Sequence, residues 1–277
     1  MEVIIVDLVD DGARGDDRMN RPPVCRLHRP AVESVGQARA EGVRQARGAI
    51  VAFLEDHSYA DRSWAEEVIA AFERPVEVVN YAMTPANPDS LLARMFLLIE
   101  YGRWMDPAIE GPLPISACQN VAYRREALEP FWNRLDRELD AEFLMCWKMQ
   151  AAGATIWLAA RAKLAHESWV QIRKGVGANG TLRHLFGAER ARQGNWNLAT
   201  RCAWAAGMPL VPPLQIARVA RSLVGRPTLW PLFWAALPLM GLVYTVGSFS
   251  EAAGYLFGEG DSRARFRELE TSTERQV

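Results

Sequence analysis

Residues 49–57 read AIVAFLEDH, a short apolar run that ends in two carboxylates and an imidazole. A continuous apolar run of this length between two helical patterns is typical of a buried strand in the centre of a sheet. Gly48 stands directly before it, where a glycine commonly ends the preceding helix. The stretch therefore predicts a central strand whose end carries the polar side chains of Glu55, Asp56 and His57.

The chain on both sides of this stretch alternates between strand-like and helical patterns. The predicted strands cover residues 3–6, 24–27, 49–54, 76–80, 154–160 and 163–166. The predicted helices cover residues 32–47, 63–72, 90–104, 125–133 and 139–152. Strands that alternate with helices of this length predict an α/β fold, with a mostly parallel sheet flanked by helices.

Composition excludes several classes of protein. The 277 residues carry 32 basic and 33 acidic side chains, and this near-neutral balance argues against a dedicated nucleic-acid binder. A hydrophobic content of 49% excludes an intrinsically disordered chain. The four cysteines are far apart and form no C-x-x-C pair, which disfavours a zinc ribbon or a disulfide framework.

The composition changes after about residue 198. Residues 202–217 and 228–250 contain no charged side chain, and the second run is long enough to cross a hydrocarbon layer of about 30 Å. The alternative is a buried core helix that contains two prolines. We expect three regions: a catalytic α/β domain over 1–198, a membrane-associated hydrophobic helical tail over 199–258, and a polar tail over 259–277.

Three segments and their spacing resemble family 2 glycosyltransferases with the GT-A fold. Residues 38–42 (ARAEG), the strand, the acidic triplet and Trp64 follow one another as in that family. Residues 116–128 (SACQNVAYRREAL) are similar to its glycine-loop region. The segment from Asp140 to Gly153 is similar to the helix that begins with Glu-Asp. The resemblance covers about residues 1–170, and the family's usual first strand has no counterpart in the sequence given.

The resemblance implies a function and a set of site residues. The implied activity is an inverting transfer of a sugar from a nucleotide-sugar donor to a glycan or lipid-linked acceptor, with Mg²⁺ or Mn²⁺ as cofactor. The implied metal ligands are Asp56, His57 and His166. The implied donor-binding residues are Asp10, Asp11, Arg39, Glu55, Asp56 and Asn120. The implied catalytic base is Glu142, with Asp140 as the second candidate.

The resemblance also implies a cellular setting, the bacterial inner membrane, with the catalytic domain in the cytoplasm and no nucleic acid as partner. Two departures from the family pattern affect the site. Glu55-Asp56-His57 replaces an Asp-Asp-Asp triplet, and Ala141-Glu142 replaces Glu-Asp. Because the family's usual first strand has no counterpart, a second function stays open, a non-catalytic, membrane-tethered GT-A remnant that acts as a scaffold or partner subunit.

Each candidate residue also has a structural interpretation. His57 is also compatible with an exposed loop position, and His166 beside Glu167 with a surface ion pair. Glu142 lies near the start of a predicted helix, where an acidic side chain is favoured by the helix dipole alone.

Overall fold

The computed structural model describes residues 1–8, 24–29 and 31–271, in which strands and helices alternate as expected. The strands are β1 Val3–Asp7, β2 Val24–His28, β3 Ile50–Ala52, β4 Ser58–Ala60, β5 Val78–Pro85, β6 Gly111–Leu113, β7 Val121–Arg124 and β8 Ile156–His166. The helices are α1 Val35–Gln45, α2 Trp64–Ala71, α3 Leu91–Tyr101, α4 Arg125–Leu128, α5 Leu135–Asp140, α6 Glu142–Ala151, α7 Ile172–Gln193, α8 Leu198–Gly207, α9 Val211–Ser222, α10 Trp230–Phe257 and α11 Ser262–Thr271. The α/β class is confirmed.

The main sheet has the strand order β3-β7-β5-β8-β4, with β6 paired to β8. Within it β5 and β8 are parallel, whereas β7 runs antiparallel to both β3 and β5. Strands β4 and β6 also pair antiparallel with β8, and β1 and β2 form a separate parallel pair. The expectation of a mostly parallel sheet is thus corrected to a mixed sheet. The sequence analysis missed β4, β6 and β7, and these short strands make the antiparallel pairings.

Helices cover both faces of the sheet. Strand β5 lies in the middle, and its residues from Val78 to Met83 are all buried. One face packs against α1, α5 and α6 through side chains that include Val43, Leu135 and Met145. The core on the other face contains residues of α2, α3 and α10. The sheet therefore holds β3 and β8, the strands that lead to the candidate site, between two apolar layers.

Helix α10 gives one face to this core. Among the described residues, one helical segment, Pro227–Phe257, is long and apolar enough to cross a membrane. Side chains from Leu232 to Tyr255 are nevertheless buried along one side of α10, which contacts α7, α3, α8 and α9. The hydroxyl of Tyr244 donates to the backbone carbonyl of Ile99 in α3 at 3.1 Å. Helix α10 is therefore partly a core helix.

Glycines allow α10 and α7 to approach closely. A Cβ on Gly254 would lie 2.2 Å from the carbonyl oxygen of His184 in α7. A Cβ on Gly187 in α7 would lie 2.4 Å from the carbonyl oxygen of Glu251. Neither distance is sterically possible, so only glycine fits at these two positions unless the helices move apart.

This close approach predicts a difference between two glycines of the same helix. Gly254→Ala should lower the free energy of unfolding by about 1–3 kcal/mol, because overpacking a tight contact costs that much. Gly241→Ala is the matched control, since its Cβ would meet no atom within 4 Å. It should raise stability by about 0.5–1 kcal/mol. Urea unfolding of both variants measures the difference, and equal shifts would contradict the helix packing.

Candidate metal and catalytic site

Three ligand-type side chains meet where β4 pairs with β8. Ser58 at the start of β4 lies opposite His166 at the end of β8. This register brings Glu55 and His57, which directly precede β4, against His166. The Nε2 atoms of the two histidines lie 3.2 Å apart. The Oε2 atom of Glu55 lies 3.5 Å from Nε2 of His57 and 3.2 Å from Nε2 of His166.

The far side of each imidazole ring is held by a polar group. Nδ1 of His57 lies 2.9 Å from Oδ1 of Asp56, and Nδ1 of His166 lies 3.1 Å from the Ser168 hydroxyl. Because a carboxylate accepts hydrogen bonds, Nδ1 of His57 carries the proton, and its Nε2 presents a lone pair to the cluster. Both histidines are buried. The interpretations of His57 as an exposed loop residue and of His166 as a surface residue are therefore wrong.

The carboxylate of Glu55 is oriented from a third direction. The side-chain amide of Asn120 donates to Oε2 of Glu55, and the backbone N–H of Glu55 donates to Oδ1 of Asn120 at 3.1 Å. The Tyr101 hydroxyl donates to the same Oε2 at 3.4 Å. Burial raises the pKa of Glu55, but the imidazoles of His57 and His166, when they are protonated and donate from Nε2, lower this pKa more, to well below its usual value of 4.5.

The donor set fits a divalent cation. The ligand atoms of Glu55, His57 and His166 all lie within 4.8 Å of one another. Two ring nitrogens and a carboxylate oxygen that converge in a buried position repel one another unless a positive charge lies among them. Outer groups that fix each ligand, here Asp56, Ser168 and Asn120, are a common feature of metal sites in proteins.

The cluster contains Glu55 where the sequence analysis named Asp56. The Asp56 side chain is 82% exposed and contacts the outer nitrogen of His57. Residues 55–58 form a turn closed by a hydrogen bond from the Ser58 N–H to the Glu55 carbonyl oxygen at 3.0 Å, and this turn leaves Asp56 exposed while Glu55 and His57 face the cluster. Asp56 is thus placed to support a ligand rather than to act as one.

A second buried carboxylate, Glu142, lies at the start of α6. The Arg39 guanidinium donates to its two oxygens at 2.8 and 3.2 Å. The Tyr123 hydroxyl donates to it at 2.5 Å, and the backbone N–H of Gln119 donates at 2.7 Å. Gln119 has a φ of 73°, a left-handed conformation that aims this N–H at the carboxylate. Burial acts to lower the pKa of Arg39, but Glu142 raises it above its usual value.

The segment from Cys118 to Asn120 connects the two carboxylates, because Gln119 contacts Glu142 and Asn120 contacts Glu55. Residues 3–132, which include this segment, match a family model described as Glycosyl transferase family 2. The chain carries a family 2 glycosyltransferase domain. No curated protein matches it. His166, Asp140 and Glu142 lie beyond the matched part of the glycosyltransferase, and their place in the site is known from the fold alone.

Asp140 of the glycosyltransferase has a different environment from Glu142. The backbone N–H of Gly36 donates to its Oδ1 at 2.8 Å, and the Arg263 guanidinium of α11 donates to its Oδ2. Burial raises the pKa of Asp140 above its usual value, although Arg263 and these hydrogen bonds oppose the shift. A Cβ on Gly36 would clash with Asp140. Asp140 therefore links α1, α5 and α11.

A small cavity lies beside both acidic residues. Its volume is about 20 Å³, which leaves room for about one water molecule. The residues that line it include Arg39, Gln119, Asp140, Glu142 and Phe266. Phe266 belongs to α11, so the C-terminal helix forms one wall of the cavity.

The remaining predicted residues are placed as follows. Asp10 and Asp11 lie outside the described residues. Arg39 and Asn120 contact the two carboxylates directly, as partners of Glu142 and Glu55. The sequence analysis missed Tyr101, Tyr123, Gln119 and Ser168. Gln119, beside Asn120, and Ser168, two positions after His166, had neighbours that drew attention to them, whereas the two tyrosines lie within apolar patterns that indicate core residues.

The role of Arg263 in holding Asp140 predicts a large effect on stability. Arg263 also donates to Glu189 of α7 at 2.8 Å, so it pairs with two buried carboxylates. Arg263→Ala should lower the free energy of unfolding by about 3–5 kcal/mol, because a buried charge loses its partner. Arg265→Ala is the matched control on the same helix. Its ion pair with Asp261 is exposed, and its loss should cost less than about 1 kcal/mol in urea unfolding.

Proposed function

We propose that the protein is a metal-dependent, inverting glycosyltransferase that moves a sugar from a nucleotide-sugar donor to a polysaccharide or glycolipid acceptor. The observation that carries the proposal is the convergence of Glu55 and His57, which lie within the matched residues 3–132, with His166 from β8. The proposed location is the cytoplasmic side of a bacterial inner membrane, and the apolar character of α10 supports it.

The donor set favours Mn²⁺ over Mg²⁺. Magnesium prefers oxygen ligands in an octahedral arrangement, whereas imidazole nitrogen suits transition metals. Two imidazoles and one carboxylate therefore match Mn²⁺ better. The bound cation would neutralise the negative charge of the diphosphate leaving group. The chain's own part is to hold His57 through Asp56, and Glu55 through Asn120 and Tyr101, so that little reorganisation is needed on binding.

We propose Glu142 as the base that takes the proton of the acceptor hydroxyl. Its closeness to the cavity and to the segment that holds Glu55 supports this role. Arg39, Tyr123 and Gln119 fix the orientation of the carboxylate, and the acceptor hydroxyl has to replace one of their hydrogen bonds. Asp140 is the weaker candidate, because its two oxygens hold α1 and α11 together.

One observation favours the second candidate function, a non-catalytic scaffold. Glu142 already accepts four hydrogen bonds, which occupy the carboxylate lone pairs that an acceptor hydroxyl would need. The cavity beside it has room for about one water molecule, which is too little for a sugar. A scaffold would keep this arrangement unchanged in the presence of substrates, whereas an enzyme has to open it.

The metal site predicts a specific loss of Mn²⁺ binding. His57→Ala and His166→Ala should each weaken Mn²⁺ binding by more than about 100-fold, because loss of an outer-shell group alone costs roughly 10–100-fold. Asp56→Asn should weaken Mn²⁺ binding by only about 10–100-fold, because Asp56 supports a ligand from outside. His28→Ala is the control, since this histidine is half exposed and lies in β2. Isothermal titration calorimetry with MnCl₂ measures the affinity of the four purified variants. Equal Mn²⁺ affinities in the cluster variants and in His28→Ala would contradict the site.

The proposed base predicts a separation of binding from catalysis. Glu142→Gln should keep Mn²⁺-dependent binding of the preferred nucleotide among UDP, GDP and dTDP within about twofold. It should lower sugar transfer by about 10²–10⁴-fold, the usual contribution of a general base. Asp140→Asn should lower the thermal stability of the protein. The molecules that remain folded should transfer sugar at the same rate as the wild type. Unchanged transfer in Glu142→Gln would reject the base, and nucleotide binding without any transfer by the wild type would favour the scaffold.

A further inference from the structure

The outward face of α10 is apolar along its whole length. Its exposed positions include Trp234, Pro238, Leu242, Thr245, Phe249 and Phe257. Trp234 and Phe249 are both 62% exposed, and Phe257 is 82% exposed. Residues 227–257 contain one charged side chain, Glu251, and it is buried. The water-facing side of a helix on a soluble protein normally carries charged side chains. The outward face of α10 lacks them, which indicates that it contacts a surface other than water.

Helices α8 and α9 extend this apolar surface. Both contact α10, and neither contains a buried residue, so they form the outside of the molecule there. Leu198, Trp204, Leu210 and Leu214 are all exposed, with Leu210 at 73%. We call the outward faces of α8, α9 and α10 the apolar layer. Its size exceeds the scattered exposed apolar side chains that are normal on a soluble protein.

The charged side chains of residues 198–250 are all positive. Residues 198–250 contain four arginines and no lysine, aspartate or glutamate. Arg226 is buried, and its guanidinium donates to the carbonyl oxygens of Gly102 and Met105 at 2.7 and 2.8 Å. Arg218 and Arg221 of α9 are exposed. An apolar face with arginines and no carboxylate complements a membrane surface that contains anionic lipid.

The inner face of α10 is incompatible with a helix that crosses the bilayer. It is buried against the α/β domain from Leu232 to Tyr255, which is nearly the full length of the helix. Glu251 is buried there and forms ion pairs with Arg183 and Arg190 of α7. A crossing orientation would either draw the α/β domain into the hydrocarbon or separate α10 from α7 and leave this carboxylate in lipid.

We propose that the apolar layer lies flat on a membrane that contains anionic lipid, with the outward side chains of α10 at the headgroup–acyl boundary. Arg218 and Arg221 contact lipid phosphates, and α10 runs parallel to the surface over about 42 Å, the length of 28 helical residues. The proposal does not depend on sugar transfer. It gives a glycolipid acceptor a direct route to the domain, because the enzyme sits on the surface that contains it.

Flotation with lipid vesicles tests the surface. The full chain should bind vesicles of phosphatidylcholine and phosphatidylglycerol (7:3) more tightly than vesicles of phosphatidylcholine alone, with less difference in 0.5 M salt. Phe249→Asp should weaken binding at least tenfold. Ile69→Asp is the matched control, since Ile69 is 56% exposed on α2. Arg218→Gln and Arg221→Gln should each weaken binding to the anionic vesicles roughly fivefold. Equal loss in Phe249→Asp and Ile69→Asp, or no wild-type binding, would overturn the proposal.

Alkaline carbonate extraction of membranes from expressing cells tests the orientation. A chain that lies on the surface is released, and retention in the pellet would show a crossing helix and overturn the proposal. A wild-type dimer that Phe249→Asp dissociates, with no vesicle binding, would assign the layer to a second copy of the chain and also overturn it. Circular dichroism measures whether each variant is folded. If Phe249→Asp does not fold, vesicle binding is measured with Phe249→Ser and the two arginine variants instead.

Mn²⁺ titration of the same samples separates this proposal from the proposed function. Loss of Mn²⁺ binding with intact vesicle binding would reject the metal site alone. Loss of vesicle binding in Phe249→Asp with unchanged Mn²⁺ affinity is the result that the apolar layer predicts, because the layer and the metal cluster share no residue.

Discussion

The antiparallel pairing of β4 with β8 is the contact on which the site depends. It sets Ser58 opposite His166 and thereby joins groups that are 109 positions apart in the chain, His57 and His166. β8 is held in place by its parallel pairing with the buried strand β5. A shift of one residue between β4 and β8 would turn His57 away from His166, because side chains alternate across a strand.

The rest of the molecule supports this contact from two sides. Asn120 and Gln119 bind one carboxylate each, so a single segment before β7 fixes the distance between the metal cluster and Glu142. The C-terminal helices close the other side. Arg263 of α11 holds Asp140, and α10 packs against α7 and α3. The region that the sequence marks as a separate apolar tail is thus in contact with the domain that contains the site.

The sequence was sufficient for strand β3 and its polar end, because residues 49–57 combine an apolar run with ligand-type side chains. The prediction that this strand is central was wrong, since β3 lies at the edge of the main sheet and β5 in its middle. It was insufficient for β4, β6 and β7, which have three or four residues each and form through pairing with distant strands rather than through a local pattern. The same limit explains Tyr101, whose hydroxyl reaches Glu55 from a helix with an apolar pattern. Asp56 and Glu55 were exchanged as ligands because the residue types alone do not reveal the turn over residues 55–58, which exposes Asp56.

Pulsed electron paramagnetic resonance of the Mn²⁺-loaded protein tests the central claim most directly, since it detects nitrogen nuclei bound to the metal. The account predicts coupling to two imidazole nitrogens in the wild type and to one in His166→Ala. A spectrum of Mn²⁺ surrounded by oxygen ligands alone, identical in both proteins, would contradict the metal cluster of Glu55, His57 and His166.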